Sequence, residues 1–213
     1  MAQGTGINSS ITLEGSSSLI VQFFECGLNS ILMLRGLYPE DYFKMTTKYG
    51  IKVYSSNNPE LTAYIEKIIS QLKIWLASNT VSKFVIVISS AETLEVVERW
   101  HFDIQVNGEN GLPMAENVPP AEAEIIKRRT VLQIQTVLRQ ISSSVSYLPS
   151  LEGDEYTFKV LVYADKDVEV PTLWADSGPS LIAGGGEHVR LKSISTLVHN
   201  VESFVAYKMT DSF

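Results

Sequence analysis

Three stretches of the chain repeat apolar residues every three or four positions, the spacing of one face of an α-helix. Residues 16–35 are apolar around nearly the whole circumference, which predicts a helix buried at the centre of a domain. Gly36 and Pro39 follow it as stop signals. Residues 60–77 carry a narrower apolar stripe, typical of a surface helix, and residues 121–148 predict a long helix with one inner face.

Other stretches have the patterns of β-strands. Residues 84–88 form a continuous apolar run, which predicts a central strand covered on both faces. Residues 96–106 alternate apolar and polar side chains, which predicts a half-buried antiparallel strand with one polar face. Residues 156–163 again predict a central strand, and two strand-like segments, 189–198 and 204–208, close the chain. Helices and strands together predict a single α/β domain.

The C-terminal part of the chain differs in composition and in hydrophobic periodicity. Residues 165–186 are rich in proline and glycine and show little periodicity. We therefore predict a folded core at residues 13–164 and a C-terminal segment, residues 165–213, that lies on this core as a belt. Residues 1–12 are small and polar and predict a flexible arm, and residues 107–120 predict the one long loop.

Composition and charge narrow the class of protein. The chain has 213 residues, of which 45% are hydrophobic and 19% charged, and this suits one globular domain with a substantial core. The formal net charge of −7 argues against general nucleic-acid binding, which needs a basic surface. The single cysteine forms no internal disulfide, which favours a reducing compartment, the cytoplasm or nucleus. We find no signal peptide and expect no membrane span.

The sequence lacks the spacings of common metal sites. The histidines are scattered, and Cys26 lies in the middle of the first predicted helix, where a small buried residue is expected. Asp165, Asp167 and Glu169 have the opening spacing of a calcium loop, but Val170 stands where that loop needs glycine. We therefore expect no bound metal.

Catalytic and nucleotide-binding motifs are also missing. The glycines 184–186 are not followed by the Lys-Ser/Thr pair of a phosphate-binding loop, and no nucleophile elbow occurs. We expect a protein that binds other proteins, with no catalytic residue and no cofactor. A catalytic set assembled in space from distant residues stays open as the alternative of a small α/β enzyme.

Several short strings occur in a fixed order: ERWHFD, then LRQI, then YADKD followed by VPTLW. Their order and spacing resemble the HORMA-domain family, in particular its spindle assembly checkpoint branch, over about residues 11–208. The chain departs from the family pattern at Tyr147, where phenylalanine is common, and in the composition of the 107–120 loop.

The resemblance implies a fold and a mechanism. It implies three helices packed on a mixed, mainly antiparallel sheet, with a mobile C-terminal safety belt that occupies two positions. In the open form the belt covers the sheet edge, and in the closed form it crosses over and wraps a partner peptide that adds a strand to the sheet. The implied function is a spindle checkpoint adaptor that sequesters the activator of the anaphase-promoting complex and so delays anaphase.

The resemblance also implies partners and a location. The partners are the anaphase-promoting-complex activator, a coiled-coil kinetochore receptor, and a second copy of the chain in the other conformer, with no nucleic acid and no membrane. The implied location is the nucleus, kinetochore and cytoplasm. The alternative is another HORMA adaptor that uses the same belt, either a translesion-polymerase accessory subunit or a meiotic axis protein.

Two groups of site residues follow from the resemblance. The expected peptide-binding residues are Tyr156, Phe158, Val160, Val162, Tyr163 and Trp174. The expected conformer-dimer residues are Arg139, Gln140, Tyr147 and Lys192. Trp174 lies in a loop rich in proline and glycine and must bury its large ring somewhere, so we predict that it anchors the belt. From the residues alone, a solvated helix face is the better interpretation of Arg139 and Gln140, and the resemblance reverses that order.

Overall fold

The computed structural model describes residues 13–107, 118–151, 155–165, 170–172 and 174–209. The helices are α1 (Leu13–Leu34), α2 (Pro59–Ala77) and α3 (Pro120–Ser144), with a short 3₁₀ helix at Glu40–Tyr42. The strands are β1 (Phe43–Lys48), β2 (Ile51–Ser56), β3 (Val81–Ser90), β4 (Val96–Val106), β5 (Tyr156–Ala164), β6 (Glu187–Arg190), β7 (Ile194–Ser195) and β8 (His199–Tyr207). The predicted N-terminal arm and most of the 107–120 loop lie outside the described residues.

Helix α1 forms the centre of the core, as its apolar circumference predicted. Phe23 and Phe24 are buried, and their rings lie 5.7 and 5.4 Å from that of Phe102 on β4, both edge-to-face. The helix ends before Gly36, whose φ of +67° is a left-handed conformation that glycine adopts without strain. By length and composition α1 would suffice to cross a membrane, but 67% of its apolar window is buried inside the domain, so core packing accounts for its hydrophobicity.

The two other helices begin at sequence signals. Asn58 caps α2 because its side-chain oxygen accepts the backbone N–H of Leu61, and Pro59 occupies the first turn, where no backbone donor is needed. The narrow stripe of α2 is buried as predicted: Leu61, Ile65, Ile68, Leu72, Trp75 and Leu76. Helix α3 also begins with a proline at its first position and ends at Ser144, four residues before the predicted end.

One antiparallel sheet of the described strands has the order β5-β3-β4-β8-β6, with β7 paired to β8. Strand β3 lies between β5 and β4, and Phe84 to Ile88 are all completely buried. The continuous apolar run therefore marks a central strand, as predicted. Strand β4 pairs antiparallel with β3 and β8, and its bounds match those predicted from the alternating pattern.

Two strand predictions were wrong about burial. Strand β5, predicted to be central, is an edge strand of this sheet, and its side chains are mostly half-buried or exposed. Conversely, the polar face of β4 is not open to solvent, since Arg99 and His101 are only 6% and 7% exposed. The ring of Phe204, which pairs with His101 across β8 and β4, stacks on the His101 ring at 4.2 Å, so the C-terminal segment shields this side chain from solvent.

Sequence analysis missed the hairpin of β1 and β2. The two strands pair from Phe43↔Ser56 to Lys48↔Ile51, which leaves a two-residue turn. Tyr49 and Gly50 both have positive φ, 53° and 73°, as a type I′ turn requires. The hairpin packs on α1 through buried Phe43 and Val53.

The C-terminal segment also contributes to the core, which was not predicted. Ile194, Val198, Val201 and Val205 are completely buried. The single strand predicted at 189–198 is divided into β6 and β7, and the last strand begins at His199 instead of residue 204. The prediction of a segment that only lies on the core was therefore wrong for residues 194–205.

Candidate functional site

The described part of the belt passes around the outer edge of β5 between residues 174 and 182. On the helix side of the sheet, the ring of Trp174 packs edge-to-face on that of Trp75 of α2, with centroids 5.0 Å apart. On the opposite side, Ile182 packs against a buried cluster that includes Val85 and Leu161. Since these two contacts lie on opposite faces, the chain between them must turn around the free edge of the sheet. Strands β6, β7 and β8 then attach the belt to the sheet beyond β4.

A cleft of about 600 Å³ lies between β5 and the belt. Its walls are the 159–164 part of β5, the side of α2 that carries Tyr64 and Trp75, and belt residues 174–178. Because side chains alternate along a strand, Val160 and Val162 face the helices, where they pack on the main core, while Leu161 faces the other side. The cleft therefore combines an exposed strand edge with apolar walls.

Four of the six predicted peptide-binding residues line this cleft: Val160, Val162, Tyr163 and Trp174. The other two lie farther along β5. The ring of Phe158 packs edge-to-face with those of Tyr38 and Tyr64, at 6.1 and 5.7 Å. Tyr156 lines a separate cavity of about 240 Å³ at the other end of the strand.

The α2 wall of the cleft was not predicted. Trp75 was predicted as a core anchor, and it is 4% exposed, but it also lines the cleft. Tyr64 and Lys67 complete this wall. Burial raises the pKa of Tyr64 above its ordinary value, so its hydroxyl stays protonated and available as a donor. In the sequence, this wall has the pattern of the exposed face of a helix, and such a pattern does not show that a strand edge lies opposite it.

The charged groups at the cleft are mostly cationic. Lys67 and Lys159 line it, with Asp176 on the belt side. The Nζ of Lys83 lies 5.7 Å from the ring centroid of Tyr163, a cation–π distance. A bound segment would therefore meet apolar walls, two lysines and one aspartate.

The predicted conformer-dimer residues are divided between a contact within the chain and the surface. The Oε1 atom of Gln140 accepts the backbone N–H of Lys192 at 2.8 Å, so α3 and the belt meet at these two residues. Arg139 is exposed, and Tyr147, in the turn that follows α3, is 44% exposed. Gln140 is thus not the fully solvated side chain that its helix pattern allowed.

A buried polar network fixes the start of β8. His199 is completely buried, its Nδ1 lies 3.1 Å from Ser16 Oγ, and its Nε2 lies 3.1 Å from Asn79 Oδ1. Ser16 Oγ also lies 2.6 Å from Thr196 Oγ1. Burial lowers the pKa of His199 to about 4, so the ring is neutral and has one donor and one acceptor nitrogen. This network joins the belt to α1 and to the turn after α2.

The candidate metal and thiol positions show no site within the described residues. Cys26 is 3% exposed, and burial raises the pKa of its thiol to about 11, which keeps it protonated and unreactive. Among the residues that the structure describes, no three His, Cys, Asp or Glu side chains cluster as metal ligands. Asp167 and Glu169 of the acidic stretch lie outside those residues.

Comparison with known proteins identifies the family to which this fold belongs. The family model described as HORMA domain matches residues 16–199. The solved structure entitled Crystal Structure of Mitotic Checkpoint Complex contains a chain with a TM-score of 0.81 and 39% identity, covering 92% of this chain and 99% of that one. Structures of Caenorhabditis elegans HTP-2 bound to a HIM-3 closure motif share the fold, with a TM-score of 0.70 at 14% identity over 94% of this chain and 93% of the other.

The relatives found by sequence show to which group of the family the chain belongs. Mitotic spindle assembly checkpoint protein MAD2A of Mus musculus is 41% identical over 211 residues, 98% of each chain. Mitotic spindle checkpoint component mad2 of Schizosaccharomyces pombe is 41% identical over 203 residues, 95% of this chain and 97% of the other. The chain belongs to the HORMA-domain family and, within it, to the group of the MAD2 spindle checkpoint proteins. The resemblance inferred from the sequence strings and the predicted three-helix fold are both confirmed.

Proposed function

We propose that the chain is a spindle checkpoint adaptor that wraps a segment of the anaphase-promoting-complex activator between β5 and the belt. The observation that carries this proposal is the course of the belt around the free edge of β5, which leaves a cleft of about 600 Å³. A peptide that enters this cleft gains backbone hydrogen bonds from the strand edge, and its side chains meet the apolar walls.

The belt arrangement corresponds to the closed form of the proposed switch. Strand β8 pairs with β4, on the far side of the sheet from β5, so the β5 edge stays available for a partner strand. In the open form the belt would pair with β5 itself and occupy the cleft. A partner peptide then shifts the population toward the closed form, by its difference in affinity for the two forms.

The partner assignment rests on the relatives. The two relatives described above are spindle checkpoint proteins at 41% identity over nearly the full length, and one similar structure is a mitotic checkpoint complex. We infer that this chain acts at kinetochores and in the nucleus and cytoplasm, where it binds a coiled-coil receptor and the activator. The alternative of a meiotic axis adaptor has only fold-level support, from structures about 14% identical.

The function is tested by capture from mitotic extract. The immobilised chain should retain the anaphase-promoting-complex activator, detected by immunoblot. Val162→Glu, which replaces an apolar side chain of the half-buried cleft wall by a charged one, should reduce retention at least tenfold because the bound peptide loses an apolar contact and the carboxylate must be desolvated when the peptide covers it. The matched control is Leu94→Glu, at a side chain 74% exposed in the β3–β4 turn, which should retain the activator like wild type. Retention by the Val162 variant at the wild-type level would contradict the proposed site.

The exposed side chain of Arg139 supports a proposed pairing of unlike conformers through α3. Arg139→Glu should give a monomer by light scattering, since a reversed charge in a desolvated interface weakens association strongly. The same variant should still bind the activator peptide, because Arg139 does not line the cleft. Dimerisation like wild type would exclude Arg139 from the interface, and loss of peptide binding would place its role at the cleft or in the core.

A further inference from the structure

Three side chains of α3 bind the backbone of the belt between β6 and β8. Thr130 Oγ1 donates to the carbonyl oxygen of Ser195 at 2.7 Å, and it also lies 3.0 Å from the carbonyl of Ile126 in its own helix. Gln133 Oε1 accepts the N–H of Ser195 at 2.9 Å. Gln140 Oε1 accepts the N–H of Lys192 at 2.8 Å.

The three residues form one surface of α3. At about 100° per residue, Thr130, Gln133 and Gln140 lie within an arc of roughly 80°. Val137, completely buried, falls inside this arc, and Ile194 of the belt is also completely buried. Both side chains belong to the same buried cluster, the two bonds to Ser195 are part-buried, and the bond from Lys192 is exposed. The polar contacts to Ser195 therefore lie beside the core, where a hydrogen bond is stronger than in water.

These contacts are made at the part of the belt that closes the loop around β5. Residues 192–195 connect β6 to β8, and β8 holds the belt on the sheet through β4. Under the proposed wrapping, an enclosed peptide is released when this distal attachment opens. Because the bonds go to backbone N–H and C=O groups, they depend on the position of the belt and not on its side chains.

We propose that Thr130, Gln133 and Gln140 form a latch on α3 that holds belt residues 192–195 by their backbone, and that this latch sets how slowly an enclosed peptide is released. They are positioning residues, since they act on the peptide through the belt. The inference rests on the proposed peptide-wrapping function. It gives three polar residues on the belt-facing side of α3 a role in the closed state of the belt.

Paired substitutions test the latch. Gln133→Met removes the acceptor at nearly constant size, whereas Gln133→Glu keeps an oxygen that accepts the N–H of Ser195. Thr130→Val and Thr130→Ser form the equivalent pair for the hydroxyl. Gln140 is left unchanged because it is also a proposed dimer residue. The probe is a fluorescein-labelled synthetic peptide of the activator segment that wild type captures, and its dissociation rate is measured after addition of excess unlabelled peptide.

Gln133→Met and Thr130→Val should each speed dissociation about three- to tenfold, the effect of one net hydrogen bond. Gln133→Glu and Thr130→Ser should stay within about twofold of wild type, and the association rate should change less than the dissociation rate in every variant. A loss of general stability alone would not be rescued by the conservative partner of each pair.

The possible results of this experiment distinguish failure of the latch proposal from failure of the proposed function. If wild type binds the peptide and Gln133→Met releases it at the wild-type rate, the latch is wrong. Equal acceleration by Gln133→Met and Gln133→Glu would also overturn it, because the hydrogen bond would then make no contribution. If wild type itself binds no activator peptide, the proposed function fails.

Discussion

A chain that ends at Ser203 should lose tight peptide binding, with affinity reduced at least about 100-fold, while its core remains folded. The deletion removes the end of β8, where Phe204 to Tyr207 pair with Glu98 to His101 of β4. It also removes the stack of Phe204 on His101 and the buried side chain of Val205. Roughly four backbone hydrogen bonds at about 1 kcal/mol each exceed the ~2.7 kcal/mol that corresponds to 100-fold.

The truncated chain should still fold because the main cluster of buried residues is drawn largely from α1, α2, α3, β3 and β4. Cooperative thermal unfolding followed by circular dichroism checks this point. A chain that ends at Met209 is the matched control, since it keeps all of β8 and should bind like the full chain. Unchanged affinity in the shorter chain would contradict the role of the belt, because the belt would then close without the end of β8.

Most helices and strands of this fold could be predicted because the hydrophobic pattern that marks each of them lies within a few consecutive residues. The run at Phe84 to Ile88 and the apolar circumference of α1 can be read within a few residues, and both gave the correct burial. The β1–β2 hairpin was missed because Tyr49 occupies a position where asparagine usually marks a type I′ turn. Gly50 was the one available signal.

The errors about exposure have a non-local cause. An apolar edge strand and an apolar central strand have the same pattern, and only the order of strands in the sheet distinguishes them. Strand β5 is at an edge because the belt attaches β8 to β4 instead of to β5. His101 on the polar side of β4 is buried for the same reason, since Phe204 of the paired strand β8 stacks on its ring.

The site was predictable in part. The resemblance pointed to β5 and Trp174, and four of six expected residues line the cleft. The α2 wall and the contacts of Gln133 and Thr130 with the belt were not predictable, because each pairs residues more than 60 positions apart along the chain. A polar residue on a helix gives the same pattern whether it faces water or a backbone amide.

The buried ion pair of Arg35 and Glu98 should give the largest effect on stability. The Nη2 atom of Arg35 lies 2.8 Å from Glu98 Oε2, and the two side chains are 4% and 2% exposed. Arg35 also donates to the carbonyl of Pro149 at 2.6 Å, and the indole of Trp100 donates to Glu98. The pair thus joins the end of α1, strand β4 and the loop after α3.

Arg35→Met should lower the free energy of unfolding by about 3 to 5 kcal/mol, because Glu98 then remains as a buried carboxylate without a cationic partner. In a domain of this size the melting temperature should fall by roughly 10 °C, measured by calorimetry at neutral pH. The double variant Arg35→Met/Glu98→Gln should regain most of this loss, since a neutral amide is much less costly to bury than an isolated charge. A double variant no more stable than the single one would show that the loss comes from packing and the Pro149 contact.

The pH dependence of the Arg35→Met variant tests the same cause independently. Burial raises the pKa of Glu98 above its ordinary value, an effect that Arg35 partly offsets in the wild type. Without Arg35 that pKa should rise further, while the unfolded chain keeps the ordinary value of about 4.3.

At a pH below both values the carboxyl of Glu98 is protonated in both states, so burying it carries no charge penalty. As the pH rises above about 4.3 the unfolded chain loses the proton and the folded chain retains it, so the stability of the variant falls. The deficit relative to wild type should therefore be smallest near pH 4.5 and grow toward pH 7.5. A deficit that does not change with pH would mean that the loss does not come from an unpaired charge at Glu98.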